Sequence, residues 1–534
     1  MLSASPLRQP QFRLFVTGAL GTALGFTMAT TVAAWVMATL TPSELMVALV
    51  QTAATAPALL LGLIAGTLAD IVDRRRLILT TQWLLLSATA LLGIASLTGF
   101  AGPSTLLALM FVVGAGLTLY LPAQAASVND LVPREHLARA VALSAVAFNV
   151  ARAIGPALAG GLTTAVGSGA ALLASTVFFV PMLVAIFRIR WPEHLLRGLP
   201  ETVYAGMLSG LRYARHSPAM RSVIVRTGSF SLCASAFWAL LPVIARDQLH
   251  LGAGGYGLLS AGFGAGAIAG ALWMPSLLHR RSLNFVVNGA SLLWAATIAV
   301  MSSTSSVVLA IIASALAGAA WVAVLAGLSA GTQSSAPGWV RARAVSVSLV
   351  ATQAALAAGS AVWGAVAALA GIRAALLASL ATMLVLLAIG RRARVAMGNE
   401  ADVLPGAPLP ELVVAAEPRP TDGPVLIQVE YRIAAENRAE FLRAVYAVEP
   451  ARRRNGASSW RVFRDLAVDG RFVERFVIES WAEYVRLRTR ATMADRELDA
   501  RIQTLQRADV PIHVSRLIGI DRDRDAAFEP KRVE

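Results

Sequence analysis

The sequence predicts an all-α polytopic membrane protein, twelve transmembrane helices in two six-helix repeats, followed by a C-terminal α+β domain of ferredoxin-like order. Three observations predict it. Twelve apolar runs of bilayer-spanning length fill the first 391 residues. The second half of that region repeats the first at an offset of 204 residues. Beyond residue 394 the composition turns from apolar to mixed and charged.

A mean hydropathy of +0.64 with 14% charged residues is too apolar for a soluble chain of 534 residues. The net charge of +15 invites a nucleic-acid reading, but its distribution excludes one: residues 1–400 carry all of it and residues 401–534 sum to zero. The excess sits in the connectors of the membrane region, where arginine sets orientation. The single cysteine, Cys233, lies inside an apolar run and can form no disulfide within the chain. Arg8 and Arg13 precede an apolar stretch too long for a signal-peptide core, so it is expected to be a retained first helix.

The apolar runs lie at 12–40, 44–69, 77–98, 104–128, 138–165, 168–188, 221–247, 254–278, 282–302, 306–333, 343–369 and 372–391. Connectors alternate between basic ones (Arg74 to Arg76; Arg134 and Arg139; 188–221; Arg280 and Arg281; Arg341 and Arg343) and others that hold two arginines in all. The positive-inside bias then places both termini in the cytoplasm, in a cell (plasma or inner) membrane. The expected domains are 1–188, a six-helix bundle; 189–220, a cytoplasmic connector; 221–394, a second bundle; 395–422, a Pro-rich linker; 423–520, a ferredoxin-like cytoplasmic domain; and 521–534, a charged tail. Within the connector, 201–216 is amphipathic and is expected to lie along the membrane face.

The second connector of the bundle reads Gly66-Thr67-Leu68-Ala69-Asp70-Ile71-Val72-Asp73-Arg74-Arg75-Arg76. A carboxylate at the level where a helix leaves lipid needs a basic partner or a helix N-terminus, so Asp70 and Asp73 suggest an ionic latch, with Arg134 or Arg139 as the partner of Asp70. Gly66, Asp70, Asp73, Arg74, Arg75, Gly155 and Pro156 are the candidate gating residues. Roughly 13 of 30 positions between 131 and 160 match the positions 204 further on, among them Pro133 with Pro337, Arg139 with Arg343, Gly155 with Gly359 and Gly160 with Gly364. In the fifth run Pro156 removes a backbone bond, the glycines permit close helix approach, and Arg152 is the only charged side chain expected well inside a span.

These residues together resemble the major facilitator superfamily, and within it the enterobactin-exporter-like subgroup of transmembrane secretion effectors. The resemblance rests on 66–76, on Leu40-Thr41-Pro42-Ser43 leading to Gln51 and Pro57, on Val132-Pro133-Arg134, and on Phe148-Asn149-Val150-Ala151-Arg152-Ala153-Ile154-Gly155-Pro156. It departs from the superfamily pattern at Ile71 and Asp73. It implies transport by alternating access, and the glycine-proline element, with three residues where the antiporter signature has two between Pro156 and Gly160, favours efflux.

After the prolines of 395–422, 425–431 reads as a strand, 436–453 as a helix, 459–465 and 472–480 as a hairpin turning at Asp469-Gly470, 481–506 as a helix and 512–518 as a strand. The order strand, helix, strand, strand, helix, strand is ferredoxin-like. It resembles the dimeric α+β barrel domains of antibiotic-biosynthesis monooxygenases. That resemblance implies a homodimer through the sheet, and the apolar area of Trp460, Val462, Phe472 and Phe476 points the same way. Val425, Ile427 and Val429 are expected to face the core, with Trp460, Trp481, Tyr484 and His513 as the candidate pocket.

Polar and aromatic residues at mid-depth are the candidates for a substrate cavity: Trp35, Gln51, Tyr120, Gln124, Asn149, Arg152, Trp238, Gln353 and Trp363. There is no metal-ligand cluster, nucleophilic triad, phosphate-binding loop or nucleic-acid motif, so no cofactor, metal, catalytic residue or nucleic-acid partner is expected. The expected partners are a small-molecule substrate, the lipid bilayer and a proton as coupling ion. The reading is a secondary active exporter of a small amphipathic molecule, such as a drug-like compound or siderophore, and not an enzyme. The alternative is a membrane-tethered monooxygenase-like enzyme or sensor whose helices serve as anchor.

Overall fold

The computed structural model describes residues 6–189, 191, 203–390, 400–404, 406, 414 and 418–520. The chain divides into two compact units. The first is Met1–Val203, Ser222–Ala330 and Ser346–Ala396; the second is Tyr204–Arg221, Gly331–Val345 and Met397–Glu534.

Twelve helices among the described residues are long and apolar enough to cross a membrane. The first is α1 (Pro10–Leu40). The second is broken into α2 (Glu44–Thr55) and α3 (Pro57–Ile71), because Pro57 has no N–H to continue the ladder. There follow α4 (Arg74–Leu97), α5 (Pro103–Leu131), α6 (Leu137–Val166), and the pair α7 (Ser168–Thr176) and α8 (Val180–Arg188) that forms the sixth span. After the connector helix α9 (Val203–His216) come α10 (Pro218–Val243), α11 (Ala253–Arg280), α12 (Leu283–Met301), α13 (Val307–Ser335), α14 (Arg341–Ala370) and α15 (Ile372–Ile389).

The 204-residue offset is visible in the backbone. The bounds of α6 shifted by 204 are those of α14. Each helix ends on a glycine with φ +84°, Gly167 and Gly371, a conformation that a side chain would strain. Each also carries a glycine pressed against a hydroxyl of the first helix of its half: a Cβ on Gly155 would stand 2.1 Å from Thr27 Oγ1, and one on Gly359 2.2 Å from Ser235 Oγ.

In the second unit, α16 (Glu400–Val403) precedes a four-stranded antiparallel sheet. Its strands are β1 (Val425–Arg432), β2 (Ser458–Arg464), β3 (Arg471–Ile478) and β4 (His513–Ile518), in the order β2-β3-β1-β4. One face is covered by α17 (Arg438–Arg454) with α18 (Trp481–Arg490) and α19 (Met493–Thr504). The single helix expected over 481–506 is thus two, because Thr492 takes an extended conformation and starts α19 with a capping box to Asp495.

Val425, Ile427 and Tyr431 face the core, and Val429 packs against it. Trp460, Phe472 and Phe476 lie there too, each 3–4% exposed, and Val462 packs beside them. Those four residues therefore belong to the core, while the open face carries the half-exposed Phe463 and Leu517 beside the partly buried Leu426, Val473 and Val477.

At the centre of this core is a carboxylate. Glu474, fully buried, accepts from Tyr431 Oη (2.8 Å), Trp460 Nε1 (2.9 Å) and Arg452 Nε (3.1 Å), while Arg452 also donates to Asp499 (2.6 Å). Burial would raise the Glu474 carboxyl, yet Arg452 and the two ring donors hold it below the usual carboxylate range. A second ionic node joins segments distant in sequence: Glu483 accepts from Arg490 (2.5 Å), Arg212 of α9 (2.9 Å) and Arg486 (3.2 Å), and the Arg490 guanidinium lies 4.4 Å from the ring of Trp339. Tyr213 of α9 donates to Ser335 O at 2.7 Å. The connector helix therefore spends Tyr213 and Ala214 on protein, leaving Leu208 and Leu211 exposed, where the sequence suggests a helix lying only on the membrane.

Removing Arg452 leaves Glu474 charged and buried without its cation. Arg452→Met is expected to destabilise the sheet domain by about 3–5 kcal/mol, seen as faster hydrogen exchange in β1 and β3 of the full-length protein. Because the Glu474 carboxyl is depressed in the folded state, its contribution is present above the unfolded value of about 4.3 and is lost as pH falls through the lower folded value. Glu474→Gln is expected to flatten the acid limb of that exchange profile.

Candidate functional site

The first unit encloses a cavity of about 640 Å³. Both halves line it. From the first half, α1 contributes Thr27 and Thr30, α2 contributes Gln51, α5 contributes Tyr120 and Gln124, and α6 contributes Asn149, Arg152 and Pro156. From the second half, α10 contributes Trp238, α11 Tyr256, α13 Trp321 and α14 Gln353. Under the 204-residue offset Asn149 superposes on Gln353, so the repeat sets one amide on each side, whereas Arg152 superposes on Leu356. The charge is on one side only.

Arg152 is held by rings. Its guanidinium carbon lies 5.4 Å from the ring centroid of Trp238 and 5.7 Å from that of Trp321, and it hydrogen-bonds to no described residue. A guanidinium over an indole face is attracted by the ring quadrupole, the more so where water is scarce. No described lining residue is acidic.

Its position follows from the packing of α6. Gly155 meets α1, Gly160 meets Gly257 of α11 with a Cβ-to-Cα distance of 2.9 Å, and a Cβ on Gly264 would stand 2.1 Å from Ala153 Cα. α6 and α11 thus approach backbone to backbone, and α1 meets α6 through the Thr27 side chain. Further contacts between the halves occur at both ends: a Cβ on Gly62 would stand 2.7 Å from Val350 Cγ2 nearer the arginine-rich connectors, and others lie at the opposite ends. Thr52 Oγ1 donates to Ala357 O at 3.0 Å, and a Cβ on Gly364 would stand 2.4 Å from Ala48 Cβ. Arg246 donates to the carbonyls of Ala38 and Thr41, the C-terminal end of α1, where the helix dipole favours a cation.

Seven of the nine expected cavity residues line this space: Gln51, Tyr120, Gln124, Asn149, Arg152, Trp238 and Gln353. Trp35 and Trp363 do not. Trp35 stacks on Tyr256 (6.0 Å, 18°), and Trp363 is buried with its Nε1 donating to Leu232 O at 2.7 Å. Both fill gaps between helices, which sequence depth alone does not separate from lining a cavity. Trp321 and Tyr256 are absent from the expected set, although Trp321 stands mid-span by the same criterion. Arg152 is also not the only charge within a span: Arg226 of α10, 5% exposed, donates to Asn288 and, at 3.5 Å, to Asn284.

Of the gating residues, Asp73 caps α4 by accepting from Arg76 N–H at 2.9 Å, the helix-terminus alternative for a carboxylate at that level. Arg74 is ion-paired with Asp130 at the end of α5, each about four-fifths buried, and also donates to Ala126 O at 3.3 Å. Arg75 is exposed. A Cβ on Gly66 would have only Ser346 Oγ, at 4.0 Å, near it. The side chains of Asp70 and Arg134 lie outside the described residues, so the expected Asp70 pairing does too.

The sequence matches the family described as Transmembrane secretion effector over residues 2–524, so the match includes the sheet domain. It is 25% identical over 190 residues to the uncharacterized MFS-type transporter YfiS of Bacillus subtilis (strain 168), covering 34% of this chain and 42% of that protein; the chain thus spans under half the length of the curated relative it matches. Among solved structures it is similar to a bacterial homolog of the human lysosomal transporter Spinster in an inward-facing conformation (TM-score 0.58, 15% identity, 73% of this chain and 97% of that one). It is also similar to the nucleoside transporter NupG (TM-score 0.57, 14% identity, 72% and 98%). At these identities the likeness is one of fold.

Losing one partner of the Arg74–Asp130 pair is expected to cost about 1–3 kcal/mol, between an exposed and a fully buried pair. Arg74→Gln and Asp130→Asn should each lower the thermal midpoint of the purified protein, and the double variant should lose less than the sum. Strict additivity would show that the two side chains do not interact.

Proposed function

The chain belongs to the transmembrane secretion effector family of major facilitator transporters, and from that premise we propose that it is a secondary active transporter exporting a small amphipathic molecule by alternating access. The observation that carries this is the cavity between two six-helix repeats, lined by residues of both. An anchor for an enzyme requires one or two helices and no such cavity. Its size falls within the range of small-molecule sites, and its walls combine aromatic and aliphatic surface with a few amides and one cation.

Export, rather than uptake, is supported by the resemblance of 148–161 to the antiporter element. With the arginine-rich ends in the cytoplasm, the cavity reaches Val141, Ser144 and Ser346 near the inner ends of α6 and α14, the side from which an exporter loads. Proton coupling, where used, falls to carboxylates outside the cavity such as Asp130, because no described lining residue is acidic.

We read the sheet domain as ferredoxin-like, on the strand order β2-β3-β1-β4 with helices on one face. A regulatory or assembly role is favoured over a catalytic one. Of the candidate pocket residues, Trp460 is bonded to Glu474, Trp481 and Tyr484 pack on each other, the Tyr484 hydroxyl accepts from Arg516 at 2.6 Å, and His513 is exposed. These groups are committed to one another and to the fold.

Cells producing the protein are expected to accumulate less of at least one member of a metabolite and dye panel than cells lacking it, with accumulation restored by Gly155→Val, which overfills the α1–α6 contact. Equal accumulation across the panel would count against export. For topology, Leu466, 92% exposed, is the labelling position, since Ala457 is buried and Cys233 is buried and silent. Leu466→Cys is expected to react with an impermeant maleimide only after cell lysis; reaction in intact cells would reverse the orientation.

A further inference from the structure

Arg152 and Arg226 both stand inside membrane spans of the described chain, and they are treated differently. Arg226 is 5% exposed and directs its guanidinium at two amide oxygens, Asn284 and Asn288, as expected of a cation whose work is to hold helices together. Arg152 is only half-buried, its remaining surface facing the cavity, and its donors meet no acceptor among the described residues. What it has is a corner of two indoles: Trp238 at 5.4 Å and Trp321 at 5.7 Å, themselves edge to face with centroids 5.9 Å apart. Rings stabilise a cation without consuming its N–H groups, so the guanidinium is held and its donors are unspent. Gln51, Gln124, Gln353 and Asn149 line the same cavity with neutral amides, which offer hydrogen bonds but no opposing charge.

We propose that the cavity is built for an amphipathic organic anion: a carboxylate, phenolate or sulfonate on a planar apolar body, with Arg152 as the partner of the anionic group and Trp238 and Trp321 as the walls that take the body. The assignment rests on the transport reading above and gives it a substrate class. An anion there supplies the acceptors that the guanidinium lacks, and a planar body can lie against either face of the edge-to-face indole pair. A cationic amphipath meets Arg152 with no described carboxylate to offset it, and is selected against.

The test uses the full-length protein in nanodiscs and three naphthalenes of nearly equal size: 2-naphthoate, 2-naphthamide and 2-naphthyltrimethylammonium. Binding is read from ligand-induced thermal shift and from quenching of tryptophan fluorescence. Naphthoate is expected to bind more tightly than the amide, and the ammonium least. Arg152→Gln is expected to weaken naphthoate by roughly ten- to a hundredfold, the range of a charge-assisted contact, while leaving naphthamide within a few-fold. Arg152→Lys, which keeps the charge but loses the fork, should fall between. Because the ranking of three charges is read on the unaltered protein, it stands even where a variant folds poorly. Preference for the ammonium, no binding of naphthoate, or an Arg152→Gln variant that binds naphthoate unchanged would each overturn the proposal. Flux in proteoliposomes separates it from the premise: binding that tracks Arg152 without flux removes transport and keeps the site, whereas flux of cations indifferent to Arg152 keeps transport and removes the site.

Discussion

In an apolar solvent two helices gain nothing by hiding hydrophobic surface from each other, so what holds α6 against α1 and α11 is close approach. Gly155, Gly160, Gly257 and Gly264 supply it: at each, a methyl group would stand within 3 Å of a neighbouring helix. The rest of the first unit depends on this contact. Because α6 touches the first helix of its own half and the second helix of the other, it cannot turn to offer Arg152 to lipid. The face that remains after the glycine face is used is the one carrying Asn149, Arg152 and Pro156, and that face lines the cavity. The charge costs less there because two indoles from the opposite half meet it. Packing thus decides where the chemistry stands.

Much of this was legible before any coordinates. Membrane spans are set by length and apolarity alone, and the offset of 204 residues carries the bounds of α6 onto those of α14 and one left-handed glycine onto another. The depth criterion set Gln51, Gln124, Asn149 and Gln353 among the residues that line the cavity. It failed for Trp35 and Trp363, since an indole fills an interhelical gap as well as a cavity wall, and only the neighbours decide which. Arg226 escaped because a run that begins near a basic connector gives no sign of how far the helix extends beyond it; Pro218 opens α10 two turns before that arginine. The break at Thr492 was readable as a capping box, but helical periodicity runs through it.

The second unit is organised differently, by charge. Glu474 and Glu483 each collect donors from segments far apart in the sequence, and both carboxyls are held below their usual range against the opposing effect of burial. A buried carboxylate satisfied by Tyr431, Trp460 and Arg452 adds little net stability over an apolar core, but it admits one arrangement of β1, β2, β3 and α17 where an apolar core admits several. Glu483 extends the same principle outside the sheet domain, to Arg212 of α9 and, through Arg490, to Trp339 between α13 and α14. The sheet domain is therefore joined by fixed, directional contacts to the connector between the repeats and to a turn of the second repeat.

Arginine does not titrate in the physiological range, so the cavity keeps its cation whether or not it is occupied. In alternating access the costly moment is closure, when water leaves and each uncompensated charge loses its solvent. Closing over an empty site would leave the Arg152 guanidinium with two rings and no anion. Closing over a bound anion would leave a neutral pair, whose mutual attraction rises as water departs. An anionic substrate would in this way lower the barrier to the step that carries it, and the empty carrier would be slow to leak. The asymmetry between Arg152 and its repeat partner Leu356 then has a use: a second cation at position 356 would leave one charge bare even in the loaded state, and would remove the distinction on which selective closure rests.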